Sequence, residues 1–259
     1  MLFVFEVVFK FVLEERNTHP ENGKEISVMT YNIFFKNRDP FSTSSLIKNQ
    51  DPDILFVQEL TPRWAQIFEN QLGKKYRYQS IIPLRGTHGL GVYSKYPIQE
   101  SNTLYNNNKL PYTQLVNLII HGKHIQLINA HLASPAVAVE NKDKFFSLYY
   151  TNYQTRKRQL KQINDAAKNE REKFTAQLLI GDLNTLSFEP IFKKLKTSWV
   201  NGFAASGKGW GLNFPNSGKI RPVLTLDFIM AKGKLEFIET HVVKGGSSDH
   251  LPIISRVKI

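Results

Sequence analysis

Cysteine is absent from the 259 residues, which excludes disulfide stapling, thiolate metal sites and a cysteine nucleophile. Any metal would be held by oxygen and imidazole, a donor set that favours hard cations such as Mg²⁺ or Mn²⁺ over a structural zinc. Also missing are a Pro/Gly/Ser-rich linker, an internal repeat and a low-complexity stretch, so one large domain is expected. The stretch Gly207-Lys208-Gly209 lacks the spacing of a P-loop, leaving no glycine-rich phosphate cradle. No apolar run reaches the roughly 20 residues of a bilayer-spanning helix. Residues 1–13 come nearest, but Glu6, Lys10 and then Glu14 recur at i, i+4 and i+8, the spacing of one helix face. A secretory signal would place positive charge before its apolar core and small residues after it, and neither is found. This start is read as an amphipathic helix or buried edge strand, with a shortened membrane anchor or interfacial helix as the other reading. The chain is expected in the cytoplasm or at a membrane, as a monomer.

What is present is an ordinary globular mixture, 41% hydrophobic and 22% charged, divided into residues 1–25 as an apolar segment with a polar connection and 26–259 as the domain. The net charge of +12 raises the local concentration of anionic partners, whether phosphate esters, nucleic acid or a membrane surface. Arg156, Lys157, Arg158 and Lys161 cluster and read as a solvated helix face.

Alternation of β-formers over residues 26–34 predicts a strand ending near Asn32, and residues 53–57 a short one that delivers Gln58 and Glu59. Helices are predicted over 42–49 and 62–72, the second with proline in its first turn. Residues 77–82, 90–94, 99–105, 113–120 and 123–129 are strand-like between Gly, Pro and Asn turns, which implies antiparallel meanders. A long helix is predicted over 145–173, a buried strand over 176–180, a helix over 189–196, and closing strands over 224–230, 235–243 and 252–258. Many strands with few helices, in mixed order, point to an α+β domain of two packed, mainly antiparallel sheets with helices outside.

Polar residues fall where those strands end: Asn32, Glu59, His131, Asp182 with Asn184, Asp227, and Asp249 with His250. One such residue is an ordinary turn former; six strand ends that each carry a carboxylate, carboxamide or imidazole are too many for turns alone. Cleaving a phosphate ester takes a cation for the developing charge, a base for water and donors to the nonbridging oxygens. Glu59 and Asp249 are the acidic candidates for a metal, Asp182 or His250 for the base, and Asn32, Asn184 and His131 for orienting phosphate. Asp227 is the natural partner to fix the tautomer of His250 and raise its pKa.

The ordered series Thr30-Tyr31-Asn32, Val57-Gln58-Glu59, Gly89-Leu90-Gly91-Val92-Tyr93-Ser94-Lys95-Tyr96-Pro97-Ile98, Asn129-Ala130-His131-Leu132, Gly181-Asp182-Leu183-Asn184, Leu226-Asp227-Phe228-Ile229 and Ser247-Ser248-Asp249-His250-Leu251-Pro252 resembles the endonuclease/exonuclease/phosphatase superfamily. Within it, Gly209-Trp210-Gly211 through Phe214-Pro215 and the segment after His131 look more loosely like the bacterial YafD-like and VanJ-like group. The resemblance implies a four-layered α/β/β/α sandwich of the DNase I-like type and dependence on Mg²⁺ or Mn²⁺. It implies Asn32 and Glu59 in the metal site with Asp249 near it, and Asp182 and Asn184 on the attacking water and phosphate. His250 paired with Asp227 would be the acid-base or stabilising imidazole, and His131 a phosphate contact. The abasic-site branch typically shows Trp-Asn at the first motif and lysine two residues after the glutamate; Tyr31 and Thr61 stand there, which argues against repair-type activity.

A metal-dependent phosphoesterase using activated water is therefore expected, acting on a phosphodiester or phosphomonoester. The alternatives are a nuclease on DNA or RNA and a lipid-headgroup phosphodiesterase at a membrane surface. A catalytically silent binding domain would have lost Glu59, Asp182, Asn184 or His250, and none is lost. His88, His121 and His124 read as solvated turn residues, and Trp64, Trp199 and Trp210 as packing residues, with Trp210 set apart by its flanking glycines.

Overall fold

The computed structural model describes residues 23–216 and 220–259; the apolar start at residues 1–13 lies outside them. In chain order the strands are β1 (Glu25–Asn32), β2 (Ile54–Gln58), β3 (Tyr78–Ile82), β4 (Leu90–Ser94), β5 (Ile98–Tyr105), β6 (Pro111–Ile120), β7 (Lys123–His131), β8 (Ala176–Asp182), β9 (Val200–Asn201), β10 (Gly207–Lys208), β11 (Asp227–Gly233), β12 (Glu236–Val242) and β13 (Ile253–Lys258). The helices are α1 (Pro40–Gln50), α2 (Pro62–Leu72), α3 (Ala136–Glu140), α4 (Phe145–Asn169), α5 (Pro190–Leu195) and α6 (Gly202–Ser206). One sheet has the order β10-β12-β13-β1-β2-β4-β3 and the other β5-β6-β7-β8-β11-β9. Pairing is antiparallel except for β1 with β2, β10 with β12 and β7 with β8.

Period-2 alternation builds the layers. Ile26 and Val28 of β1, Ile54 and Phe56 of β2, Leu178 and Ile180 of β8, and Ile229 and Ala231 of β11 meet in the core between the sheets. The intervening Met29, Tyr31, Leu55 and Val57 face outward onto Ile47 of α1 and Trp64, Phe68 and Leu72 of α2. On the far side, Leu179, Phe228 and Met230 pack against Leu160, Ile163 and Ala167 of α4 and Phe192 and Leu195 of α5. The outcome is the expected helix–sheet–sheet–helix sandwich. Trp64, Phe68 and Leu72 recur every fourth residue, one stripe of α2, and burying each stabilises by about 1.5–3 kcal/mol. The same helix starts where Thr61 accepts a hydrogen bond from the Trp64 backbone N–H, with Pro62 in the first turn.

Three readings are corrected. The strand predicted over 224–230 starts only at Asp227, because Leu224 bridges Phe214 and the Leu226 N–H donates to Asn213 Oδ1 instead of entering the sheet. The long helix ends at Asn169, and Arg171–Lys173 form a separate 3₁₀ turn. Arg156 is no part of a solvated face. Lys157, Arg158 and Lys161 are exposed, but Arg156 shares the stripe of Leu160, Ile163 and Ala167 and is wholly buried. Its Nη2 donates to Glu189 Oε1 at 2.8 Å, and the Tyr149 hydroxyl donates to the same oxygen at 2.6 Å. Among the described residues no helix is long and apolar enough to cross a membrane.

Candidate active site

Strand direction gathers the chemistry at one end of the sandwich. Parallel β1 and β2 finish there with Asn32 beside Gln58, and parallel β7 and β8 with His131 beside Asp182. Antiparallel β11 and β13 begin at the same end, which brings Asp227 directly opposite Asp182 and hangs Ser248 to His250 above β1. Parity then aims the side chains. Asn32, Asp182 and Asp227 continue the inward-facing series of their strands, so they point between the sheets where the apolar core gives out.

Glu59 has the wrong parity, since it would follow Leu55 and Val57 onto the outer face. Its backbone takes φ 62°, in the left-handed region that costs a non-glycine residue roughly 1–2 kcal/mol. The turn redirects its carboxylate inward, where Oε1 accepts from Asn32 Nδ2 at 3.4 Å and Oε2 from the Phe35 N–H at 2.9 Å. Asn184 also has positive φ, 47°, which asparagine tolerates better; its Nδ2 donates to the Leu132 carbonyl at 3.1 Å. Strain at sites of this kind is held by the surrounding structure.

Asp182 is the hub. Its Oδ1 accepts from the Asn184 N–H at 2.9 Å and its Oδ2 from Asn32 Nδ2 at 3.1 Å. The Nε2 atoms of His131 and His250 lie 3.7 and 3.8 Å from that same Oδ2. Each histidine is oriented from behind: His131 Nδ1–H donates to the Thr87 carbonyl at 3.0 Å, and His250 Nδ1–H to Asp227 Oδ2 at 2.7 Å. Burial alone would keep the His250 imidazole neutral, but Asp227, then Asp182 and Asp249, overcome it and push its pKa up to about 10. Burial and the facing Asp227 raise the Asp182 carboxyl, against the pull of His250 and His131.

Gly181 lets Asp182 reach this position. It sits at φ 134°, and a methyl group on it would overlap the Ala130 carbonyl oxygen of β7. Gly181→Ala is expected to lower stability by at least about 1–3 kcal/mol, measured by denaturant unfolding; an unchanged midpoint would refute the close approach.

The donor set fits a hard divalent cation. Glu59, Asp182, Asp227 and Asp249 converge, and among the described residues no Lys or Arg forms an ion pair with any of them. The Asp249 carboxyl is raised by burial and, among its charged neighbours, by Glu59, as expected of two acids facing a common space. One ligand atom each from Asp182, Asp227 and His250 also falls within 4.8 Å of the others. There, however, Asp227 and His250 are already committed to each other at 2.7 Å.

The sequence profile of the Endonuclease/Exonuclease/phosphatase family matches residues 29–250, which span every residue of this cluster. The chain belongs to this family. Solved structures with the same fold include an endonuclease/exonuclease/phosphatase from Bacteroides vulgatus, 14% identical at TM-score 0.72, the match covering 91% of this chain and 99% of that one. Beta toxin from Staphylococcus aureus aligns at 17% identity and TM-score 0.68 over 89% and 99%. D. rerio TDP2 complexed with a single-strand DNA product aligns at 16% and 0.70 over 91% and 100%. At such identities the likeness is one of fold. No curated protein sequence matches the chain.

All eight candidate residues of this endonuclease/exonuclease/phosphatase chain thus lie at one end of the sandwich, and the structure adds others. Gln58 Nε2 donates to Asn129 Oδ1 at 2.7 Å, and Asn129 Nδ2 to the Val57 and Gly91 carbonyls, tying the sheets together beneath the site. Ser248 Oγ donates to the Asn32 carbonyl at 2.6 Å and accepts from the His250 N–H. Gln58, Asn129 and Ser248 stand within the recurring motifs, so their signal was adjacency to candidates. Asn213 had none. His88 departs from the solvated reading: it is partly buried, and burial followed by the nearby His131 lowers its pKa. Trp64 and Trp199 are core residues, whereas Trp210 is 91% exposed.

Proposed function

We propose that this chain is a divalent-metal-dependent phosphoesterase that hydrolyses a phosphodiester or phosphomonoester by activated water. The observation that carries it is the convergence of Asn32, His131 and His250 on one oxygen of Asp182, at 3.1, 3.7 and 3.8 Å. Glu59 and Asp249, with Asn32, would hold Mg²⁺ or Mn²⁺, which when bound neutralises charge developing on the phosphoryl oxygens. Asp182 takes the proton of the attacking water, its basicity raised by burial and by Asp227. Asn184, whose backbone N–H holds the other Asp182 oxygen, orients water and phosphate. His250 is kept cationic by Asp227 and stabilises the phosphoryl oxygens from Nε2. His131, with Nδ1 committed to Thr87, contacts the phosphate from its own Nε2.

The test is hydrolysis of bis-p-nitrophenyl phosphate, p-nitrophenyl phosphate, plasmid DNA, a single-stranded oligonucleotide and a phospholipid, each with Mg²⁺, Mn²⁺ or EDTA. Turnover that EDTA abolishes is expected, and turnover indifferent to EDTA would remove the metal from the mechanism. Inactivity throughout would favour a silent binding domain. Glu59→Gln is expected to raise the metal concentration for half-maximal activity by about tenfold or more, since even indirect supports of a metal are worth that much. An unchanged metal dependence would place the cation elsewhere.

A nucleic-acid substrate is the second form of this function, supported by the net charge of +12 and by the single-strand DNA product held by D. rerio TDP2. Oligonucleotide binding that weakens steeply with salt is its signature.

A further inference from the structure

Asn213 lies in the long loop before β11, outside any strand, yet it is wholly buried and each of its polar groups is engaged. Its N–H donates to the Leu224 carbonyl at 2.8 Å, and its carbonyl accepts from the Leu251 N–H at 2.8 Å. The side-chain Oδ1 accepts from the Leu226 N–H at 3.0 Å. Because that backbone group can only donate, the orientation of the amide is determined, and its Nδ2 must be what faces Asp227 Oδ2 at 2.7 Å. The same oxygen receives His250 Nδ1–H at 2.7 Å, while the buried Asp227 Oδ1 has no hydrogen-bond partner among the described residues. The residues that follow hold the histidine loop from its other side. The Phe214 ring lies 4.7 Å from the His250 ring, and Asn216 donates its N–H to the Asp249 carbonyl at 2.6 Å and its Nδ2 to that of Ser248 at 2.9 Å.

We infer that Asn213 is a positioning residue: it pins one oxygen of Asp227 and thereby sets the angle at which His250 presents Nε2 to Asp182. An aspartate carboxylate turns about a broad terminal torsion, so Asp227 has no rotamer preference strong enough to choose that oxygen unaided. With two donors on Oδ2 and none on Oδ1, rotation of the carboxylate breaks both bonds together. Of the candidate catalytic side chains, Asn213 is hydrogen-bonded to Asp227, and its effect on His250 is transmitted through that carboxylate.

The kinetic part of the inference rests on the phosphoesterase function proposed above; the spectroscopic part does not. Asn213→Asp retains the shape and the acceptor for Leu226 but replaces the donor to Asp227. Asn213→Ser, too short to span Leu226 and Asp227, is the second variant should the first fail to fold. With bis-p-nitrophenyl phosphate, kcat is expected to fall by about 10–100-fold, the scale seen for groups that orient a functional side chain, with KM within about twofold. In an Asp227→Ala background the same substitution is expected to change kcat by less than about twofold, because contacts that act through one residue are not additive. Independent, multiplying losses would overturn the inference. The second readout is the low-field proton resonance of His250 Nδ1–H, identified by its disappearance in His250→Ala. It is expected in the wild type and lost to solvent exchange in the Asn213 variants; an unaltered resonance in a folded variant would overturn the inference. Wild-type inactivity on the whole substrate panel would defeat the phosphoesterase function and leave the resonance to decide on Asn213.

Discussion

His250→Ala is expected to lower kcat by about 10²–10³-fold, the range lost with one preorganised donor to developing charge, while metal affinity stays near that of the wild type. The reason is geometric. The imidazole makes its Nδ1 bond to Asp227 at 2.7 Å and aims Nε2 at Asp182 from 3.8 Å, so in the proposed mechanism its removal takes a cationic donor away from the phosphoryl oxygens. His131 also points its Nε2 at Asp182, from 3.7 Å, but its Nδ1 rests on the neutral Thr87 carbonyl and not on a carboxylate. The fold should survive, because Asp227 keeps the Asn213 amide at 2.7 Å. Steady-state kinetics at saturating metal, with circular dichroism to verify folding, makes the measurement; equal kcat in the two proteins would end the mechanism proposed for this site.

Glu189→Ala is expected to lower unfolding free energy by about 3–5 kcal/mol, because it strands the charge of Arg156 in the interior. Arg156 is fully buried, and Glu189 nearly so. The lost carboxylate carries the Arg156 and Tyr149 bonds on Oε1 and the Leu186 N–H on Oε2. For a chain of this size the loss corresponds to a fall in Tm of roughly 6–20 °C. Replacing both partners with apolar residues, Arg156→Met with Glu189→Leu, is expected to recover most of it, as buried pairs often exchange for well-packed apolar groups at little cost. Differential scanning calorimetry of the single and double variants decides: a single variant that melts with the wild type would mean that the pair contributes nothing.

Much of the sandwich is legible in the sequence, where the signal is local. The 62–72 helix is bounded by Thr61 as cap and Pro62 in the first turn, and strand alternation in residues 26–32 already separates Ile26 and Val28 from Met29 and Tyr31. The candidates were visible because polar residues interrupt apolar strands at their ends. Arg156 was misread because its neighbours Lys157 and Arg158 suggest a solvated face, and the carboxylate that keeps it buried lies 33 residues away in the chain. Asn213 stands in a loop with no period and no apolar strand to mark it; its partners are Asp227, 14 residues on, and Leu251 beyond that.

The amino-acid sequence by itself determined the two sheet faces, the main helices and the set of candidate polar side chains at the strand ends, because these follow from periodicity, capping and residue chemistry along a few neighbouring positions. Only the tertiary structure decided which oxygen of Asp182 the two histidines share, that Glu59 turns inward through a left-handed backbone, and that Asn213 stands behind Asp227. Those relations depend on distances between strands from different sheets and loops, and such distances exist only once parallel and antiparallel pairing has brought the strand ends together.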